Sequence, residues 1–162
     1  MKAKELTRIA LFAALLAALS QLALPLGAVP LTVQVFGVAL CGKVLGPKKS
    51  LWAVGVWLLL GALGAPVFYG FQGGIAPLLG PSGGFLWGFL GLAFFSGLSK
   101  KPWCLLGLAL CHLLGVLQFS FVSGNSLWLS FLQGSLPYLL KDLLLTLGGV
   151  QLGARIKRED RI

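Results

Sequence analysis

Uncharged, largely apolar stretches dominate the chain: residues 9–42, 50–99 and 102–140 contain no Asp, Glu, Lys or Arg. Soluble helices and strands interleave apolar with polar positions at a period of 3.6 or 2, whereas runs this long read as membrane spans with their connectors. Pro, Gly and short polar clusters divide them into six helical spans, at residues 6–26, 31–46, 51–64, 83–99, 103–123 and 136–156. The breakers are Pro25, Gly27 and Pro30; Gly46-Pro47; the segment from Ala65 to Ser82; Pro102; Gly124-Asn125-Ser126; and Pro137. The second and third spans fall short of the about 20 residues a crossing needs, which predicts tilted helices or ends in irregular backbone. Residues 127–135 read as a short helix near a surface, anchored by Trp128.

Composition agrees with this pattern. Of 162 residues, 57% are hydrophobic and only 10% charged, and mean hydropathy is +0.93. A soluble domain carries about a quarter charged residues. The expectation is one all-α integral membrane domain over residues 1–162. A net charge of +9 raises the question of nucleic acid, but the basic residues are scattered and form no groove. They sit at the amino end (Lys2, Lys4, Arg8), in two connectors (Lys48, Lys49 and Lys100, Lys101) and at the carboxyl end (Arg155, Lys157, Arg158, Arg161). The connectors at 27–30, 65–82 and 124–126 carry no charge. Positively charged connectors stay in the cytoplasm, so both termini are expected there and the uncharged connectors outside. Lys43 lies near the cytoplasmic end of the second span and can snorkel. Residues 1–20 also have the outline of a signal peptide, but no soluble domain follows and the apolar run continues to Leu26.

The chemistry-bearing residues are few. Cys41, Cys104 and Cys111 lie in apolar segments without a CxxC, and His112 is the sole histidine. A four-ligand metal site is not expected, and His112 reads as a helix-packing residue. Asp142 is the only acid inside a span; Glu5, Glu159 and Asp160 lie in the charged ends. Paired carboxylates, a nucleophile with its base, a P-loop and HExxH are missing, which argues against an enzyme and against self-powered transport.

Two regions look built for a small molecule. Residues 65–84 hold six glycines, three prolines, Phe68, Tyr69, Phe71 and Gln72, with no charge. Such a segment is too Gly-rich for a helix and too apolar for a free loop. It is expected to fold back over the spans, with glycines such as Gly73 and Gly74 permitting close approach. The second region is Leu136–Leu145. At about 100° per residue, Tyr138, Lys141 and Asp142 share one helix face. A charge inside a span is costly unless it faces the protein interior or a partner, so Asp142 is a candidate ligand contact. In the first span Ala10, Ala13, Ala14, Ala17 and Ala18 form a small-residue stripe that lets another helix approach.

These segments together resemble a known family. Val29-Pro-Leu-Thr-Val-Gln34, Leu45-Gly-Pro47, Gly64-Ala-Pro-Val-Phe68, Gly73-Gly74, Leu79-Gly-Pro-Ser-Gly-Gly84, Leu136-Pro-Tyr-Leu and Asp142-Leu-Leu occur in one order over residues 10 to 150. Each motif is weak, but the ordered set resembles the BioY family, the biotin-binding S-components of energy-coupling factor (ECF) transporters. The resemblance implies a multi-pass protein of a prokaryotic cell membrane, without a cofactor, that captures biotin from outside. Its implied partners are a transmembrane coupling protein, docked on Ala10, Ala14 and Ala18, and two cytoplasmic ABC-type ATPases. It implies that Asp142 contacts the ligand, that Gln72 is the loop's polar position, and that Thr32 and Gln34 lie near the pocket. The family commonly has a Lys three residues after the Asp; here Leu145 stands there. Chemically, Asp142 suits the ureido N–H groups of biotin, Gln72 or Asn125 its carbonyl, and Phe68, Tyr69 and Phe71 its apolar body. Lys141, one turn before Leu145, is then expected to hold the valerate carboxylate. The alternatives are an S-component for another vitamin, a self-contained solute carrier or channel, and a structural membrane subunit.

Overall fold

A computed structural model describes residues 3–24, 29–100 and 102–159. Lys2, Pro25, Gly27, Lys101, Asp160 and Arg161 lie outside the described residues. Eight α-helices account for most of the described chain: α1 (Ala3–Gln21), α2 (Gln34–Leu45), α3 (Pro47–Ala62), α4 (Ala76–Leu79), α5 (Gly83–Ser96), α6 (Trp103–Ser123), α7 (Leu127–Gly134) and α8 (Leu136–Glu159). The six long ones coincide with the six apolar segments, and α7 with the short helix expected at 127–135.

Several boundaries differ: α3 begins at Pro47, so Lys48 and Lys49 lie in its first turn rather than in a connector, and the short α4 stands inside the segment expected to be too Gly-rich for a helix. The first helix stops at Gln21, and the chain continues as strand β1 (Ala23–Leu24), antiparallel to β2 (Leu31–Thr32) with Ala23 opposite Thr32. Apolar composition extended the helix to residue 26, but a residue preceding proline, here Leu24 before Pro25, is driven toward extended backbone. The same hairpin delays the second helix to Gln34. Elsewhere the punctuation acts as expected. Gly46 takes φ +82 and Pro47 opens α3 at its first turn. Gly124 ends α6 at φ +68, and Ser126 caps α7 by accepting the Leu129 N–H at 3.3 Å.

Helix α2 is the centre of the bundle, packed against α1, α3, α5 and α8. Helix α5 packs most extensively on α6, and α2 on α8. Both crossings are close because glycines face the partner's backbone: Gly84 and Gly88 against α6, Gly149 against Phe36 and Leu40. The core contains fully buried Leu16, Val38, Val54, Trp57 and Leu92. Outer faces are apolar as well, with Leu11, Trp52, Leu59, Leu113, Phe121 and Leu144 exposed. Among the described residues, Trp103–Ser123 is long and apolar enough to cross a membrane by length and composition, while Gln34–Leu45 and Gly83–Ser96 are apolar but shorter.

Candidate functional site

The hairpin, the start of α2, the segment from Phe68 to Ser82, the first turns of α5 and the first half of α8 enclose a cavity of about 360 Å³. That volume lies in the range of small-molecule sites, about 300–1,000 Å³. Its polar groups cluster on α8 and the hairpin. Asp142 is buried at 5% exposure. Its Oδ1 lies 2.7 Å from Lys141 Nζ, and its Oδ2 lies 3.4 Å from His112 Nε2 on α6. Lys141 also donates to the Thr32 carbonyl at 2.6 Å. Its ammonium lies 5.8 Å from the Tyr138 ring centroid, so the lysine turns inward. Tyr138 in turn donates its hydroxyl hydrogen to the Val29 carbonyl at 2.6 Å. Thus two α8 side chains pin the hairpin over the cavity. Gln34 is buried at the cavity edge, and its Nε2 has no hydrogen-bond partner among the described residues. A buried amide left so costs about 1–3 kcal/mol.

The remaining lining is apolar. Trp57 meets Phe68 edge to face at 5.3 Å and Phe89 at 6.3 Å; Phe85 and Leu86 complete the wall. The covering segment is tied down from several sides. Ser20 donates to the Val67 carbonyl at 2.7 Å, as does the Trp57 indole at 3.0 Å. The Gln21 side chain donates to the Phe68 carbonyl and accepts from the Phe71 N–H, both at 2.9 Å. Farther on, Gln118 donates to the carbonyls of Leu78 and Gly80 at 2.8 and 2.9 Å.

Of the residues singled out above, Asp142, Lys141, Tyr138, Gln72, Tyr69, Phe68, Gln34 and Thr32 line the cavity. Phe71, Gly73, Gly74 and Asn125 do not. Gly70 and Phe71 both take positive φ, +66 and +57, and this turn leaves the Phe71 ring 71% exposed. At Gly73 a Cβ would run into the carbonyl oxygens of Gly64 and Ala65. Gly74, at φ +89, donates to the Gly61 carbonyl at 2.7 Å. Both glycines therefore shape the loop. Asn125 belongs to the α6–α7 turn, where its carbonyl accepts from Ser120 at 2.7 Å. The alanine stripe divides: Ala10, Ala14 and Ala18 are exposed, whereas Ala13 is core and Ala17 packs against it.

Among the lining residues that sequence reasoning left out are Trp57, Phe85, Leu86 and Phe89, whose apolar type and helical spacing are those of core. On α8 the long Lys141 stem folds back onto its neighbour Asp142. That 2.7 Å contact sets ammonium and carboxylate side by side. The two groups expected to take opposite ends of a ligand, Lys141 and Asp142, thus lie together at one end of the cavity. His112, expected to pack, does pack edge-on to Phe85 at 5.7 Å, but it also reaches Asp142.

Comparison with known proteins points one way. The family model described as "BioY family" matches residues 1–161. A protein of Pyrococcus horikoshii named "Probable biotin transporter BioY" is 40% identical, with 97% of this chain and 98% of that protein covered. "Biotin transporter BioY" of Thermotoga maritima is 37% identical, with 96% of both chains covered. Among solved structures, the "S-component for biotin from an ECF-type ABC transporter" superimposes with a TM-score of 0.88. It is 29% identical, covering 98% of this chain and 95% of that one.

Proposed function

The chain belongs to the BioY family, and from that premise we propose that it is the substrate-binding subunit of an ECF-type transporter, taking biotin into the cavity beside Asp142. The observation that carries this reading is the ion pair at the polar end. Standard amide geometry puts a ureido oxygen about 2.3 Å from each ureido nitrogen. An acceptor and a donor 2.7 Å apart match that arrangement: Asp142 accepts a ureido N–H while Lys141 donates to the carbonyl. Lys141 has three hydrogens, of which the Thr32 carbonyl takes one, and Asp142 Oδ1, within ion-pair distance of it, has no hydrogen-bond partner among the described residues. The Gln34 amide supplies another donor, Trp57, Phe68, Phe85 and Phe89 cover the fused rings, and the valerate runs toward Tyr69 and exposed Gln72 at the mouth.

In this reading α1, α2, α3, α5, α6 and α8 cross a prokaryotic cell membrane with both termini cytoplasmic. The apolar outer faces meet lipid, and the Gly-rich segment and the cavity mouth face outward. No residue here hydrolyses ATP; two ABC-type ATPases act through a coupling protein that docks on the exposed Ala10, Ala14 and Ala18 face.

The direct test is to purify the protein, identify any co-purified small molecule by mass spectrometry, and measure binding of biotin against a panel of other vitamins. Preferential biotin binding is expected. Tighter binding of another vitamin sinks the ligand assignment, and uptake without any ATPase sinks the assignment to an ECF transporter. Topology is tested by single-cysteine labelling in a background lacking Cys41, Cys104 and Cys111. Gln72→Cys should label from outside, and outside labelling of either terminus overturns the orientation.

A further inference from the structure

Behind Asp142, outside the cavity lining, lies a buried Ser135–His112 hydrogen bond whose ring reaches toward the carboxylate and which ligand contact does not explain. Ser135 Oγ is 2.7 Å from His112 Nδ1, and His112 Nε2 is 3.4 Å from Asp142 Oδ2. His112 is 6% exposed and Ser135 fully buried. We propose that His112 is a positioning residue for Asp142: anchored by Ser135, it faces Oδ2 and fixes the rotation of the carboxylate, so that the acid stays turned toward the ligand's N–H groups.

The carboxylate only accepts hydrogen bonds, so the ring hydrogen that serves it sits on Nε2; the Ser135 hydroxyl, able to donate or accept, serves Nδ1. Ser135 is itself fixed. Its N–H caps α7 by donating to the Phe131 carbonyl at 3.1 Å, and its own carbonyl accepts from the N–H groups of Tyr138 and Leu139 at 3.0 and 3.1 Å. The imidazole plane is set by Phe85, which stands edge-on at 88° and also lines the cavity. Asp142 is thereby held from two helices, its Oδ1 by Lys141 of α8 and its Oδ2 by His112 of α6. Without His112, nothing in these contacts faces Oδ2, and the carboxylate is free to turn about its Cβ–Cγ bond away from the ligand. The 3.4 Å separation exceeds a well-formed N–H···O bond, about 2.7–3.2 Å, so Oδ2 keeps acceptor capacity for the ligand.

The inference rests on biotin being the ligand, and its test separates the two. Equilibrium binding of labelled biotin is measured on purified full-length protein carrying His112→Leu, His112→Gln or Ser135→Ala, each alone and combined with Asp142→Asn. His112→Leu should weaken biotin at least about tenfold. His112→Gln, which retains an N–H near the Nε2 position, should recover affinity to within about threefold of the parent. Ser135→Ala should cost a few-fold. In the Asp142→Asn background, His112→Leu should change affinity less than about threefold, because coupled residues are not additive. Equal losses for Leu and Gln, or an undiminished loss in the Asn background, would mean that the ring only packs, and would overturn the proposal. If His112→Leu fails to fold by thermal unfolding, the Gln and Ser135→Ala arms carry the same decision. Failure of the parent protein to bind biotin would reject the ligand assignment instead.

Discussion

At the polar end of the cavity Lys141 is held by Thr32 and Asp142, and Asp142 is flanked by Lys141 and His112, whereas the aromatic lining of Trp57, Phe68, Phe85 and Phe89 is held by packing, with one indole hydrogen bond from Trp57 to the Val67 carbonyl. The two regions contribute differently. Buried apolar area is worth about 25 cal/mol per Å² and is shared among many residues, so one truncation removes only a fraction. A buried ion pair that loses one member leaves the other uncompensated, at about 3–5 kcal/mol. Affinity can therefore be spread over the wall, but discrimination between ligands is concentrated at the pair.

The largest effect should come from Asp142→Leu, which removes the acceptor and leaves Lys141 unpaired. At about 1.4 kcal/mol per tenfold, biotin affinity should fall by about a hundredfold or more in direct binding; an effect below tenfold would place the ligand's N–H groups elsewhere. Next, Lys141→Met should weaken biotin about tenfold or more, and should weaken an uncharged biotin amide to the same degree. A selective loss for biotin would return the lysine to the carboxylate and break the comparison.

At the wall, Phe89→Leu preserves apolar character and removes part of the ring contact. A loss of about 1 kcal/mol, or about fivefold, is expected, similar for biotin and its amide. Smaller still, Gln21→Ala removes one tie on the cover and should raise the dissociation rate a few-fold in stopped-flow displacement, leaving association nearly unchanged. Ala14→Leu adds bulk to an exposed face of α1. Binding should not change, while ATP-driven uptake by the assembled transporter is lost; equal loss of binding would place that face inside the fold.

The helices were legible because charge-free runs and their breakers report directly on length and connection. The end of α1 was not, since Leu22, Ala23 and Leu24 are apolar in either helix or strand and only pairing with Leu31 and Thr32 decides. The polar end of the site was visible because a charge in an apolar run is expensive enough to demand a use. The wall was not, because Trp57 and Phe89 belong at once to the core cluster and to the cavity, and residue type cannot separate the two. The loop resisted for another reason. Which of Phe68, Tyr69, Phe71 and Gln72 point inward depends on positive φ at Gly70 and Phe71, and irregular backbone has no period to extrapolate.

Gln21 and Ser20 sit at the end of the helix whose outer face is the alanine stripe, and both grip the segment that roofs the cavity. Helix and roof are thus one lever. A load that displaces this end of α1 must either carry residues 67–71 along or break the hydrogen bonds at Val67, Phe68 and Phe71. Thermodynamic linkage makes such a lever work in both directions: whatever free energy a partner on the alanine face spends in loosening the bound vitamin, the vitamin spends equally in loosening that partner. In the proposed transporter an occupied and an empty subunit would then compete for the same coupling protein on unequal terms, set by two side chains, Ser20 and Gln21.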